Sequence, residues 1–135
     1  MSKIKCSYLG DLKCEAKHLQ SGNLITTDAP IDHCGKGENF SPTDLLATSL
    51  GSCLLTIMSI KARSNGWELK NIYLDIEKIM TKNKERKIAQ LKIDIYIPDD
   101  LSKEKIDFIK NASEDCPVTR NLSESLDIKI NWHNQ

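Results

Sequence analysis

The sequence lacks an excess of either charge, because 19 lysine and arginine residues balance 19 aspartate and glutamate residues. A basic surface is typical of proteins that bind nucleic acid or anionic membranes, so we expect neither partner. The longest stretch without a charged residue, Leu45 to Ile60, is shorter than the roughly 20 apolar residues that cross a bilayer. We therefore expect no membrane span, and we interpret this stretch as a buried core helix.

The sequence also lacks a cysteine pattern that would close completely into disulfides, because it has five cysteines, an odd number. No charged-then-apolar leader precedes the first strand-like segment, Lys3 to Tyr8. Both features favour a reducing, cytoplasmic setting, where paired cysteines are more often catalytic or metal-binding than structural. A chain of this size buries about two-thirds of its unfolded surface and needs no disulfides. We expect a single domain over residues 1–135.

Apolar residues that alternate with polar ones predict six strands. They fall at residues 4–8, 12–18, 24–27, 72–76, 91–97 and 126–132. A long helix is predicted from Ser41, a good N-cap followed by Pro42, to about Ser64, before Asn65-Gly66. Ser102 caps a second helix. The order β-β-β-α-β-β-α-β predicts an α+β domain, because strands do not alternate regularly with helices.

The long helix is apolar on nearly every side, and such a helix must be covered all round. Few other helices are predicted to cover it. We therefore expect the protein to be an oligomer in which a second subunit supplies the cover.

Two cysteines stand in contexts that suggest chemistry. Cys53 lies in the middle of the long helix, whereas Cys116 precedes Pro117 and can cap a helical turn whose N–H groups favour a negative sulfur. Arg120 could add a positive charge near Cys116. Asp44 lies about 13 Å from Cys53 along the helix axis, so it could only position a basic group near the thiol. If folding brings the cysteines together they form a redox dithiol; otherwise they pack as small hydrophobic residues.

The remaining cysteines and histidines point less clearly to chemistry. Cys6 and Cys14 occupy alternating strand positions and are predicted to lie in the core. His18 ends a strand, where a hydrogen-bonded core histidine is the first interpretation and a supporting role at the dithiol the second. His33-Cys34 could form half of a metal site, but no second pair at zinc-like spacing accompanies it. We expect neither a metal nor an organic cofactor.

These residues carry a pattern that extends over nearly the whole chain. The segment GKGENFSPTDLL (35–46), followed by GSC (51–53) and by CPV (116–118), resembles the OsmC/Ohr family of peroxide-handling proteins. The resemblance implies an intertwined homodimer around a central buried helix, in which the two cysteines meet near the subunit interface.

The resemblance also implies a reaction. Cys53 would attack a small organic or lipid-derived hydroperoxide and become a sulfenic acid, and Cys116 would resolve it as a disulfide, a condensation that neighbouring thiols undergo readily. A dithiol donor, of lipoyl type in the best-known members, would restore the thiols. The implied role is defence against oxidative stress.

The chain departs from the pattern of the family's peroxidases, which use an N-terminal arginine and a glutamate near the first cysteine. The first arginine here is Arg63, and Thr43 stands at the glutamate's place with Asp44 after it. Other N-terminal cations are available at Lys13, Lys17, Lys36 and His18. The departure favours an alternative function, a weakly catalytic or non-catalytic binding or redox-sensing protein with a hydrophobic pocket.

Overall fold

The N-terminal part of the chain forms a three-stranded antiparallel sheet in the computed structural model, which describes residues 1–135. The strands are β1 (Ile4–Gly10), β2 (Lys13–His18) and β3 (Leu24–Asp28), in the order β1-β2-β3. Asp11 and Leu12 form the two-residue loop between β1 and β2, and both have a positive φ. A loop with a positive φ at both residues matches the right-handed twist of the strands that it joins.

The long helix α1 (Pro42–Ser64) begins and ends where the sequence predicts. The Asp44 N–H donates to Ser41 Oγ at 3.1 Å, and the Ser41 N–H donates to Asp44 Oδ2 at 2.9 Å. This is a reciprocal capping box, closed by an aspartate instead of the usual glutamate. By length and composition α1 could cross a membrane, but the core helix of a globular protein passes the same test.

A second sheet follows α1 and consists of β4 (Tyr73–Met80), β5 (Ile88–Ile97) and β6 (Asp127–Asn134). β4 and β5 are antiparallel, whereas β5 and β6 are parallel. Parallel strands need a long crossover, and the helices α2 (Lys103–Ser113) and α3 (Pro117–Leu122) supply it. The α+β class is confirmed, and α3 adds one short helix to the predicted order.

The packing divides the chain into two compact units, Met1–Leu46 and Ala47–Gln135. The core of the second unit consists of the apolar faces of α1, β5 and α2, with the fully buried residues Leu50, Leu54, Met58, Leu91, Ile93, Ile95 and Ile109. Gly51 brings α1 close to β4, because a Cβ at this position would overlap the end of the Ile76 side chain. The single-domain assignment stays a prediction.

The first unit leaves much of its apolar surface open. Its large side chains that are about half exposed or more include Ile4, Tyr8, Leu9, Leu24, Ile25 and Phe40. The prediction that Cys6 lies in the core is wrong, because this thiol is exposed, and Cys14 is only partly buried. Strand alternation identifies a shared face, but it does not show whether another layer covers that face within the same chain.

Candidate dithiol site

Cys53 lies on the side of α1 that borders an open cavity. The thiol is partly buried, and the cavity has a volume of about 330 Å³. Its lining residues are Ser49, Ser52, Cys53, Thr56, Ile57, Ile60 and Pro117. The lining therefore combines apolar side chains and small hydroxyl groups with a single thiol. Its chemistry suits a small molecule with an apolar body.

Cys116 stands at the N-cap of α3, as the sequence predicts for a cysteine before proline. Its backbone is extended, with φ −66° and ψ 115°, and Pro117 occupies the first helical position. The Cys116 sulfur accepts a hydrogen bond from the Thr119 N–H at 3.4 Å. The residue is fully buried, so its sulfur is solvated by protein groups instead of water.

The fold brings the Cys53 and Cys116 thiols within hydrogen-bonding reach of each other. Burial raises the pKa of the Cys53 thiol, and its neighbour Cys116 raises it further. Burial also acts to raise the pKa of Cys116, but the hydrogen bonds from Cys53, from Thr119 and from the Val118 N–H outweigh this effect. The pKa of Cys116 therefore lies below its usual value.

The positively charged side chains near Cys116 form ion pairs with a carboxylate. Asp115 pairs with Lys61 at 3.0 Å and with Arg120 at 2.6 Å. The hydrogen bond and charge of Lys61, with a smaller contribution from Arg120, hold the pKa of Asp115 below its usual value. The structure thus places the Arg120 guanidinium on Asp115, where the sequence suggested a charge for Cys116.

The other predicted supporting residues have local partners in the first unit. Asp44 closes the cap of α1, as described above. His18 Nδ1 accepts a hydrogen bond from the Ser21 N–H at 3.3 Å and lies 2.7 Å from Ser21 Oγ. His18 is only partly buried, so it stabilises a turn and is not a core residue. Supporting roles for Asp44 and His18 at the dithiol stay predictions.

Two of the four N-terminal cations are held by carboxylates. Lys13 Nζ lies 2.9 Å from Asp28 Oδ2 and 3.0 Å from Glu38 Oε2, and Lys36 Nζ lies 3.0 Å from Asp11 Oδ2. The side chain of Asp28 is completely buried, and a hydrogen bond from the Glu38 N–H, followed by one from Lys13, lowers its pKa. The sequence analysis missed this cluster, and no spacing signal marks it.

No group of three or more histidine, cysteine or acidic side chains in the structure is arranged to hold a metal ion. Cys34 is exposed and lies in the left-handed backbone region, with φ 69°. It follows the short 3-10 turn formed by Ile31–His33.

Comparison with known protein families assigns the chain to one of them. The model of the OsmC-like protein family matches residues 35–131, which is well over half of the chain and includes both thiols. The chain belongs to the OsmC-like family. The comparison with curated proteins finds no match.

Three solved structures place this OsmC-like chain among its relatives. A Psychrobacter arcticus protein named for osmotic stress induction and a detoxification response is 41% identical, with a TM-score of 0.89, and the match covers 98% of this chain and 96% of that one. An OsmC-like protein from Mycoplasma pneumoniae is 20% identical, with a TM-score of 0.82, over 99% and 96% of the two chains. The organic hydroperoxide resistance protein OhrB of Bacillus subtilis is 18% identical, with a TM-score of 0.71, over 98% and 97%. The last two likenesses show the fold alone.

Proposed function

We propose that this OsmC-like protein is a cysteine-based peroxidase that reduces organic, lipid-derived hydroperoxides. The hydrogen-bonded pair of Cys53 and Cys116 at the border of a partly apolar cavity carries this proposal. The relative OhrB is named for organic hydroperoxide resistance, which supports the same substrate class. The proposed role is defence against oxidative stress in the cytoplasm.

The proposed reaction uses both thiols in turn. The Cys53 sulfur attacks the outer peroxide oxygen, the O–O bond breaks, and the thiol proton ends on the departing alkoxide, which leaves as an alcohol. Cys53 is then a sulfenic acid. Cys116 attacks this sulfur, a disulfide forms, and the hydroxyl group departs as water. An external dithiol, of lipoyl type, reduces the disulfide and closes the cycle.

A homodimer is part of the proposal. Ile60 on α1 is 56% exposed, and the first unit exposes several large apolar side chains. Exposed apolar surface of this extent is characteristic of a subunit interface. The measured molar mass in solution tests this part of the proposal, and a monomer at micromolar concentration would contradict it.

Oxidation with one equivalent of an organic hydroperoxide, followed by peptide mapping, tests the function. We expect a rapid Cys53–Cys116 disulfide in the wild type. Cys53→Ser should abolish peroxide consumption, whereas Cys116→Ser should accumulate a Cys53 sulfenic acid. The exposed Cys34 supplies the matched control, and Cys34→Ser should react like the wild type. Undiminished peroxide consumption by Cys53→Ser would refute the proposal.

A second candidate function is a binding or redox-sensing protein on the same scaffold. The raised pKa of Cys53 and the ion pairs that hold Lys13 and Lys36 favour it, because both reduce the activation available to a peroxide-attacking thiol. This function predicts slow oxidation and a hydrophobic ligand that remains bound on purification. Native mass spectrometry that shows ligand-free protein, together with fast peroxide consumption, would eliminate it.

A further inference from the structure

The α2–α3 turn, residues 114–116, contacts α1 at two separate points. One is the approach of the Cys116 thiol to the Cys53 thiol. The other is an ion pair, in which Lys61 Nζ on α1 lies 3.0 Å from Asp115 Oδ2. Lys61 follows Cys53 by eight residues, so the two points lie about 12 Å apart along the helix axis. Two separate contacts restrain the turn against pivoting on α1, which a single contact does not.

Backbone hydrogen bonds fix the shape of the α2–α3 turn but not its place on α1. The N–H groups of residues 114–116 donate to the carbonyl groups of residues 111–113 at the end of α2, over 3.1–3.3 Å. The Cys116 carbonyl accepts from the Arg120 N–H of α3 at 3.1 Å. These bonds join the turn to α2 and α3, so its position against α1 depends on side chains.

Arg120 prepares the Asp115 carboxylate for its pair with Lys61. The guanidinium donates to Asp115 Oδ1 at 2.6 Å, whereas Lys61 pairs with Oδ2, so each carboxylate oxygen has its own cation. The side chains of Lys61 and Asp115 are each 42% exposed. Exposed ion pairs contribute little unless several charges form a network, as these three do. A carboxylate that one cation already holds loses less side-chain freedom when it pairs with a second.

From this arrangement we propose that the Lys61–Asp115 ion pair positions Cys116 for disulfide formation with Cys53. A disulfide forms without backbone movement only when the two Cα atoms lie within about 7 Å and the side chains point towards each other. A turn that is held in this geometry gives the two thiols a high effective concentration. Lys61 and Asp115 act through the place of the turn and make no bond to a reacting sulfur, so they are positioning residues.

Equilibrium with glutathione tests the proposal without any hydroperoxide. Glutathione disulfide oxidises the two thiols to one protein disulfide, and the two thiol protons leave with two molecules of reduced glutathione. Alkylation and peptide mass spectrometry measure the fraction of Cys53–Cys116 disulfide, which gives the effective concentration of the thiols. We expect Lys61→Ala and Asp115→Ala each to lower this concentration about two- to fivefold, the effect of one partly exposed ion pair.

Three further variants separate positioning from a general loss of charge or structure. Arg63→Ala removes a cation from the same end of α1 that pairs with Glu68 at 3.0 Å, outside the α2–α3 turn, and it should keep the wild-type value. Lys61→Arg keeps the charge and should lose less than Lys61→Ala. The double variant of Lys61→Ala and Asp115→Ala should lose no more than either single variant. A wild-type value in Lys61→Ala, an equal loss in Arg63→Ala, or additive losses in the double variant would overturn the proposal.

Ionic strength supplies a readout that a purely structural role of Lys61 does not change. At 1 M salt the Debye length falls to about 3 Å, and exposed ion pairs weaken. The difference in effective concentration between the wild type and Lys61→Ala should therefore shrink as sodium chloride is added. A difference of the same size at low and high salt would contradict a role that depends on charge.

The consequence for peroxide reduction alone rests on the proposed function. With a hydroperoxide and a sulfenic-acid trap, Lys61→Ala should yield more trapped Cys53 than the wild type, because Cys116 spends less time within reach of the sulfenic acid. Equal trapping in the two proteins would count against the positioning role. If the wild type does not react with hydroperoxide at all, the peroxidase proposal fails, and the glutathione equilibrium still decides whether the ion pair positions Cys116.

Discussion

Replacement of Leu54 by alanine tests whether core packing holds α1, and with it Cys53, in place. Leu54 is fully buried next to Cys53 in the sequence. The change removes three carbon atoms, worth about 2.4 kcal/mol of transfer free energy at roughly 0.8 kcal/mol for each buried methylene. The cavity that remains brings the expected loss of unfolding free energy to about 3–4 kcal/mol. A chain of this length should then melt about 10 °C lower.

Denaturant unfolding measures this loss, and Leu54→Met is the matched control. Methionine nearly conserves the volume, so it should cost less than about 1.5 kcal/mol. The slope of free energy against denaturant should be similar in all three proteins. A loss below about 1 kcal/mol in Leu54→Ala, or equal losses in the two variants, would refute the view that Leu54 is a tightly packed core residue.

Three further predictions concern the charged cluster, the loop before α1 and the dithiol. Folding lowers the pKa of Asp28, so the ionised carboxylate stabilises the folded protein at pH values above the unfolded pKa. This stabilisation is lost as the pH falls through the pKa of the folded state. In acid denaturation curves, the stability difference between the wild type and Asp28→Asn should therefore vanish. Gly35→Ala should lower the melting temperature, because the added Cβ would overlap the Ala29 backbone carbonyl group, which cannot move aside as easily as a flexible side chain. A melting temperature equal to that of the wild type would contradict this overlap. Arg120→Ala should leave unchanged the pH at which the Cys116 thiol is half ionised, measured by NMR titration, because the guanidinium pairs with the Asp115 carboxylate. A rise of this pH in the variant would show that Arg120 acts on the Cys116 sulfur.

The order of the secondary structure elements was largely predictable, because it depends on neighbours in sequence. Alternation located all six strands, and the Ser41 cap with Asn65-Gly66 bounded α1 within a residue. The N-cap position of Cys116 followed from the proline after it. Each of these features depends on the intrinsic geometry of a few adjacent residues, which the sequence records directly.

Tertiary structure decided the contacts that give the site its character. The hydrogen bond between the thiols joins residues far apart in the chain, and nothing in either local segment requires it. The same applies to the partner of Arg120. The sequence suggested that its charge lies near Cys116, whereas the folded chain pairs it with the Asp115 carboxylate. Likewise, Asp28 gave no signal as an isolated aspartate at the end of a strand, although it holds Lys13.

The sequence by itself therefore determined the α+β class, the two ends of α1 and the two cysteines as candidates. Only the tertiary structure decided which sulfur is buried, which hydrogen-bond donors surround it, and that Lys61 and Arg120 pair with the Asp115 carboxylate. The physical reason is that strand and helix formation follow short-range rules, whereas the ionisation of a thiol depends on every group that packing brings within a few ångströms of it.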